Sequence, residues 1–148
     1  MVRVDFYILN TPSKQAQYHF ACRLAEKAVS QNTTVYIHTH SQADAEQLDD
    51  LLWSFNDTSF VPHAIVGHPM ADEDVKVLIG FGEQHSPAGL LIKLAALKHD
   101  NHLYSRIAEI VSQDKKSLQA SRQAYRHYQQ AGFTVHHHNS PSSNNSLA

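Results

Sequence analysis

The chain has few of the residues on which common cofactor and catalytic sites depend. Only 5 of its 148 residues are glycine. The first predicted strand-to-helix turn, Leu9-Asn-Thr-Pro-Ser-Lys14, contains neither G-x-G-x-x-G nor G-x-x-x-x-G-K-[ST], the glycine-rich turns whose backbone N–H groups cradle phosphate. A G-x-S-x-G turn, which would expose a nucleophilic serine, is also missing. We therefore expect no nucleotide cofactor and no catalytic activity.

Cysteine and long apolar runs are equally scarce. The single cysteine, Cys22, excludes an internal disulfide and falls within a predicted helix. No apolar run approaches the roughly 20 residues that span a bilayer. The amino terminus leads directly into Val2-Arg-Val-Asp-Phe-Tyr-Ile-Leu9, without the features of a signal peptide. These features predict a soluble cytoplasmic protein with no membrane partner.

The composition that is present predicts one globular domain with unevenly distributed charge. The chain is 42% hydrophobic, which is enough for one sizeable core. The formal net charge is −2, yet residues 115–148 contain four basic and no acidic side chains. The other residues hold all 14 acidic groups against 8 basic ones. The pattern predicts a basic carboxyl-terminal patch on an acidic body.

Strand-like and helix-like segments alternate along the chain. Segments rich in β-branched, aromatic or aliphatic residues predict strands at 2–9, 34–38, 64–66, 75–81, 89–95, 107–111 and 133–135. Helical spacing and capping residues predict helices at 14–30, 41–55 and 114–131, the last ending at Gly132. The run 89–95 fits a strand or a helix, and we favour the strand.

This alternation is typical of an α/β domain. We expect a mostly parallel sheet flanked by helices, Rossmann-like but without a phosphate-binding loop. The predicted domain spans residues 1–138. Residues 139–148 are rich in serine and asparagine, and we expect them to form a disordered tail.

The only tryptophan, Trp53, falls on an unexpected face of the second predicted helix. At about 100° per residue, the leucines and Phe55 share one face, and Trp53 lies roughly opposite them among carboxylates. A large aromatic on such a face is typical of an interaction anchor. The alternative is that Trp53 covers the edge of the core where the helix frays. The nearby Phe60, Val61 and Pro62 could extend the same patch.

The last helix presents a second candidate surface. Lys115, Arg122 and Arg126 fall on one helix face, beside Tyr125 and Tyr128. Cations interleaved with aromatic rings suit single-stranded nucleic acid. They equally suit an acidic peptide that ends in an apolar side chain and a carboxylate. The acidic body disfavours a long phosphate footprint, and a solvated helix face with two core tyrosines needs no ligand at all.

The 12 histidines suggest metal binding, but their spacing is incomplete. His38 and His40 form H-x-H at the end of a predicted strand, and His63 and His68 lie nearby in sequence. A metal site also needs a carboxylate and hydrogen-bond partners for its ligands. We favour no metal site, with a metal-dependent hydrolase using His38 and His40 as the alternative. The histidine run 136–138 is interpreted as low-complexity sequence.

Several blocks of sequence follow one another in a specific order along nearly the whole chain. The most specific are Leu48-Asp-Asp-Leu-Leu-Trp53 with Ser59-Phe-Val-Pro-His63, and Arg122-Gln-Ala-Tyr-Arg-His-Tyr-Gln-Gln-Ala-Gly-Phe133. The segments 6–9 and 22–28 fit the same series. In order and in length, these blocks resemble the chi subunits of bacterial DNA polymerase III holoenzyme.

The resemblance implies an accessory subunit with an α/β fold and with no catalytic activity or cofactor of its own. Chi subunits form a heterodimer with the psi subunit, which tethers them to the clamp loader. They also bind the acidic carboxyl-terminal tail of single-stranded DNA-binding protein, so that contact with nucleic acid is only indirect. In some bacteria a helicase-like protein uses the psi-facing surface.

The resemblance also assigns residues to the two surfaces. The psi-facing surface would contain Trp53, Phe60 and Pro62. The tail-binding surface would contain Arg122, Tyr125, Arg126 and Tyr128. Many family members carry a further lysine near the position of Leu118, whereas Lys115 and Lys116 lie about a turn earlier here.

Overall fold

A computed structural model describes residues 2–55, 61–67, 75–82, 84, 86–95 and 103–139. These residues form seven strands: β1 (Arg3–Ile8), β2 (Val35–Thr39), β3 (His63–Ile65), β4 (Val77–Phe81), β5 (Ala88–Lys93), β6 (Tyr104–Val111) and β7 (Thr134–Asn139). The helices of the described part are α1 (Lys14–Ser30), α2 (Gln42–Ser54) and α3 (Lys115–Gln130).

All seven strands belong to one parallel sheet, in the order β3-β4-β2-β5-β6-β1-β7. Helices α1 and α2 pack on one face of the sheet, and α3 packs on the other. The predicted α/β class is therefore confirmed. The ambiguous apolar run is a strand, β5, with both faces covered as expected for a buried parallel strand.

The largest difference from the sequence-based expectation concerns the histidine run. The predicted last strand stops at Val135, but β7 continues to Asn139. The run pairs in register with β1, so that His136 lies opposite Asp5 and His138 opposite Tyr7. Residues 140–148 lie outside the described part of the chain.

Each helix begins at a polar residue whose side chain accepts a backbone N–H of the first turn, as helix capping requires. Ser13 serves α1, Ser41 serves α2 and Asp114 serves α3. Gly132 adopts φ +80° just after α3, a conformation that glycine enters without steric cost, and it turns the chain toward β7. Along the described ranges, none of the helices has the length and apolarity needed to cross a membrane.

The face that holds α1 and α2 is an apolar core. Leu48 and Leu52 of α2 are almost fully buried there, together with the small side chains of α1. Burial raises the pKa of the Cys22 thiol to about 12. Cys22 therefore remains a neutral thiol and behaves as a small apolar side chain.

The other face holds α3 through a buried polar network. Tyr128 is the one fully buried side chain within α3. Its hydroxyl donates to Glu109 Oε2 at 2.5 Å and accepts from Lys93 Nζ at 3.1 Å, while Lys93 and Glu109 form an ion pair at 2.6 Å. Burial, and then the Glu109 carboxylate, raise the pKa of Tyr128, so the phenol keeps its proton and acts as the donor.

This network predicts a non-additive response to mutation. Lys93→Met should lower the free energy of unfolding by about 3–5 kcal/mol, because it leaves the Glu109 carboxylate buried without a cation. The double variant Lys93→Met/Glu109→Leu should lose much less, because both charges are removed together. Urea unfolding of the single and double variants measures this coupling. If the double variant lost as much free energy of unfolding as the two single variants together, the buried ion pair would be contradicted.

Candidate protein-binding surfaces

Trp53 lies on the solvent side of α2, as helical spacing predicts. Its side chain is 62% exposed, whereas the adjacent Leu52 is 1% exposed. The exposed carboxylates Glu46 and Asp50 belong to the same helix. The structure therefore places most of the Trp53 side chain in solvent rather than over the edge of the core.

The Trp53 ring is supported by a buried histidine at the start of β3. The ring centroids of Trp53 and His63 are 5.2 Å apart, and the ring planes meet at 67°. His63 is held in turn, because Nδ1 lies 2.6 Å from the Val61 carbonyl and Nε2 lies 3.1 Å from the Asp49 carbonyl. These contacts fasten the last turns of α2 to β3 and fix the base on which Trp53 rests.

The residues before β3 contribute unequally to this patch. Pro62 is half-buried beside His63, and its carbonyl accepts the N–H groups of Lys76 and Val77 at 3.1 Å each. The expectation that Val61 extends the patch is wrong, because its side chain is 2% exposed and packs in the core. Phe60 lies outside the described residues. We call Trp53 and Pro62 the Trp53 surface.

A groove of about 390 Å³ lies between α3 and the sheet, at the edge formed by β1 and β7. Its lining includes apolar and aromatic side chains from β1, β6, β7 and α3: Phe6, Ile8, Val111, Leu118, Tyr125 and His137. Arg122 and Arg126 also line it, and both are exposed. We call this feature the α3 groove.

Tyr125 is the central aromatic residue of the α3 groove. Its ring lies edge-on to Phe6, with centroids 5.9 Å apart, and 5.2 Å from the ring of His137. Its hydroxyl accepts from Gln129 Nε2 at 2.8 Å. Phe6 and His137 are stacked at 5.5 Å. Three rings from three different elements therefore form an aromatic floor.

The α3 groove combines this floor with positive charge. Arg122 and Arg126 both line the groove, and none of its described lining residues is acidic. A guanidinium can hold a carboxylate through two parallel hydrogen bonds. The groove can therefore accept a carboxylate at the arginines and an apolar side chain on the floor.

The structure does not bring Tyr128 into the α3 groove. The side chain is 1% exposed and points from α3 toward the sheet, where its hydroxyl joins the network of Lys93 and Glu109. Tyr128 therefore supports α3 from beneath. Lys115, at the start of the helix, is also not among the lining residues.

The histidines considered for a metal site are distributed over both faces of the sheet. His38 is buried on the α3 face, where Nδ1 lies 2.9 Å from the Tyr36 hydroxyl. His63 points to the α2 face, while His40 is exposed beyond the end of β2. Among the residues that the structure describes, no three His, Cys, Asp or Glu side chains could together hold a metal ion. His68 lies outside them.

Sequence reasoning missed His137 as a residue of the α3 groove. A low-complexity interpretation treats adjacent histidines alike, whereas a strand sends alternate side chains to opposite faces. His137 thus enters the α3 groove, while His138 contacts Asp5 on the other face at 2.9 Å. Extending the apolar alternation of Phe133 and Val135 by two residues would have identified it.

Comparison with known proteins identifies relatives over nearly the full length. The family described as DNA polymerase III chi subunit, HolC, matches residues 1–136. DNA polymerase III subunit chi of Pseudomonas aeruginosa is 36% identical over 146 residues, covering 95% of this chain and 99% of the relative. The protein of that name from Escherichia coli is 25% identical over 141 residues, covering 91% and 96%.

Solved structures share the fold at much lower identity. The crystal structure of T4 UvsW matches with a TM-score of 0.62 at 9% identity, covering 93% of this chain and 41% of that one. A DEAD box protein from the hyperthermophile Methanococcus jannaschii matches with a TM-score of 0.57 at 8% identity, covering 88% and 40%. The chain spans about two fifths of those structures, and the likeness shows a common fold.

The exposure of Trp53 predicts that Trp53 and its neighbour Leu52 contribute very differently to the free energy of unfolding. Trp53→Ala should change the free energy of unfolding by less than about 1 kcal/mol, because the side chain is largely in solvent. Leu52→Ala should cost about 2–5 kcal/mol, because it leaves a cavity in the core. Urea unfolding of both variants measures the contrast. Equal losses would mean that Trp53 is part of the core.

Proposed function

The chain belongs to the DNA polymerase III chi-subunit family of replication accessory subunits, and from this premise we propose that it is a non-catalytic bridge. One partner is the psi subunit, which would tether it to the clamp loader. The other is the acidic carboxyl-terminal tail of single-stranded DNA-binding protein. The observation that supports this proposal best is the separation of two chemically different surfaces.

The two surfaces lie at opposite edges of the sheet. The Trp53 surface is next to β3, the first strand in the sheet order, and the α3 groove is next to β1 and β7, the last two. Five or six strand spacings of about 4.8 Å separate them by roughly 24–29 Å. They also face opposite sides of the sheet, so two partners can be bound at once without sharing a side chain.

The α3 groove suits the tail of single-stranded DNA-binding protein. An acidic peptide that ends in an apolar residue presents negative charge, a terminal carboxylate and one apolar side chain. Arg122 and Arg126 would pair with the carboxylates, and Tyr125 would contact the apolar side chain. Tyr128 would contribute by holding α3 in place.

The Trp53 surface suits a stable protein partner. Tryptophan gives a large buried area for each side chain that is immobilised, and such residues dominate binding energies when they enter a partner's pocket. Phe60 and Pro62 would complete the patch for psi. A helicase-like protein that used the same surface would compete with psi.

The crevice in which such sheets usually bind a ligand is bridged in this protein, which agrees with a non-catalytic role. The chain leaves β1 toward the α1 face and leaves β6 toward the α3 face, so the crevice lies between the carboxyl ends of these strands. Gln113, which is exposed, bridges the two segments that flank the crevice: its Nε2 donates to the Leu9 carbonyl at 2.9 Å, and its backbone N–H donates to the Thr11 carbonyl at 2.8 Å.

The α3 groove predicts how tail binding responds to mutation. A peptide with the terminal sequence of the host's single-stranded DNA-binding protein should bind with a Kd in the micromolar range, about −8 kcal/mol. Arg122→Ala and Tyr125→Ala should each weaken binding about tenfold, since each removes one of the two contacts. Isothermal titration calorimetry at two salt concentrations measures both effects, and added salt should weaken the wild type.

The matched control for this experiment is Lys76→Ala. Lys76 is an exposed cation next to β4, at the far edge of the sheet. This variant loses the same charge as Arg122→Ala and should bind the peptide as the wild type does. A peptide without its terminal phenylalanine should bind weakly to all of them. Unchanged affinity of Arg122→Ala and Tyr125→Ala would place the tail elsewhere.

The Trp53 surface predicts that psi binding can be lost without loss of tail binding. Trp53→Ala should abolish co-purification with co-expressed psi, because the anchor of the patch is removed. The same variant should bind the tail peptide normally, because Trp53 lies far from the α3 groove. Loss of both activities together would indicate unfolding, which circular dichroism would detect. Normal recovery of psi with Trp53→Ala would exclude this surface.

A further inference from the structure

We propose that the face of the sheet opposite the α3 groove carries a separate site for the phosphate backbone of single-stranded nucleic acid. The site lies where β1, β6 and β7 are next to α1. Its cations and aromatic residues are Arg3, Tyr7, Lys27, Arg106, His136 and His138, arranged around the buried Asp5. We call it the basic strip. It is distinct from the last helix, which the sequence suggested for such binding.

A buried carboxylate holds the arginines of the basic strip in place. Asp5 is 1% exposed and accepts from Arg3 Nη2 at 3.1 Å, from Arg106 Nη2 at 2.9 Å and from His138 Nε2 at 2.9 Å. Burial acts to raise the pKa of Asp5, but the hydrogen bonds from Arg106, His138 and Arg3 outweigh it, and the pKa lies below its ordinary value. Asp5 is therefore an ionised, fixed anchor.

The basic strip keeps an excess of positive charge. Arg3 and Arg106 side chains remain 46% and 47% exposed, so a ligand in solvent can reach both guanidinium groups. Lys27 adds a third cation from α1, at the wall of a pocket of about 210 Å³. Asp5 is the one acid among the lining residues of this pocket that the structure describes. Three permanent cations against one anion leave a field that attracts phosphate.

Aromatic rings lie next to these cations on the sheet surface. Tyr7 and His138 are stacked, with centroids 4.8 Å apart and planes at 16°. Tyr7 also meets Phe20 of α1 at 5.1 Å, so His138, whose side chain is 43% exposed, is the ring that faces solvent. The Arg106 guanidinium lies beside the Tyr7 side chain, so a cation and a ring of the basic strip are in contact. Single-strand binders combine cations that follow the backbone with rings on which bases stack, and one common module presents those rings on a sheet face.

The chemistry of the basic strip differs from that of the α3 groove. The α3 groove has an apolar floor that suits a terminal apolar side chain, whereas the basic strip has a carboxylate at its centre and cations on both sides. A flexible phosphodiester chain, which needs cations and ring faces, fits this arrangement better.

A polarisation titration of labelled oligothymidylate with the full chain tests the proposal. With three phosphate contacts, the logarithm of the association constant should fall with the logarithm of salt concentration at a slope of about 2. Lys27→Ala should weaken binding about three- to tenfold and lower the slope by about 0.7. This variant leaves the contacts of Asp5 intact, so it should fold. Arg106→Gln should weaken binding similarly.

Two matched variants and one competitor define the outcomes that overturn the proposal. Lys76→Ala and Arg122→Ala should bind the oligonucleotide as the wild type does, since neither residue is in the basic strip. Undetectable binding by the wild type at low salt would overturn it. A loss of oligonucleotide binding caused by Arg122→Ala and not by Lys27→Ala would also overturn the proposal. Equal competition by thymidine monophosphate, at the same phosphate concentration, would instead indicate a site for a single phosphate group.

Discussion

The attachment of α3 to the sheet centres on one fully buried side chain, and the α3 groove depends on that attachment. Within this polar helix, Tyr128 alone is fully buried, and its hydroxyl lies between Lys93 and Glu109. Most of the stability of a helix in a protein comes from the face it packs. A network satisfied by three partners therefore fixes how α3 is rotated about its axis. That rotation turns Arg122 and Tyr125 toward the open edge of the sheet.

The parallel sheet then separates the two candidate protein-binding surfaces. Adjacent strands are held rigidly at about 4.8 Å, so the distance between Trp53 and Tyr125 is set by strand order rather than by loops. Trp53 rests on His63 at one edge, and Tyr125 rests on Phe6 at the other. A partner at one surface would not need to alter the other. This property suits a bridge, which must hold both partners at the same time.

Local patterns were sufficient to predict much of the fold, but not the role of each side chain. The bounds of α1 and the exposure of Trp53 follow from helical spacing alone. Tyr125 and Tyr128 show the limit of that reasoning: they are three positions apart, about 60° on the helix. One lines the α3 groove and the other is buried. The difference depends on Lys93 and Glu109, whose position beneath α3 is set by the register between the neighbouring strands β5 and β6.

The histidines of β7 show how an edge strand can serve both faces of a sheet. Polar residues suit an exposed edge, because they discourage pairing with another chain. Alternation sends His137 to the aromatic floor of the α3 groove and His138 to Asp5 in the basic strip. A one-residue slip of β7 against β1 would exchange the two faces and remove both sets of contacts. The contact of His138 with Asp5 and the stacking of His137 on Phe6 therefore both favour the same register. The two sites on opposite faces thus depend on one strand being placed correctly.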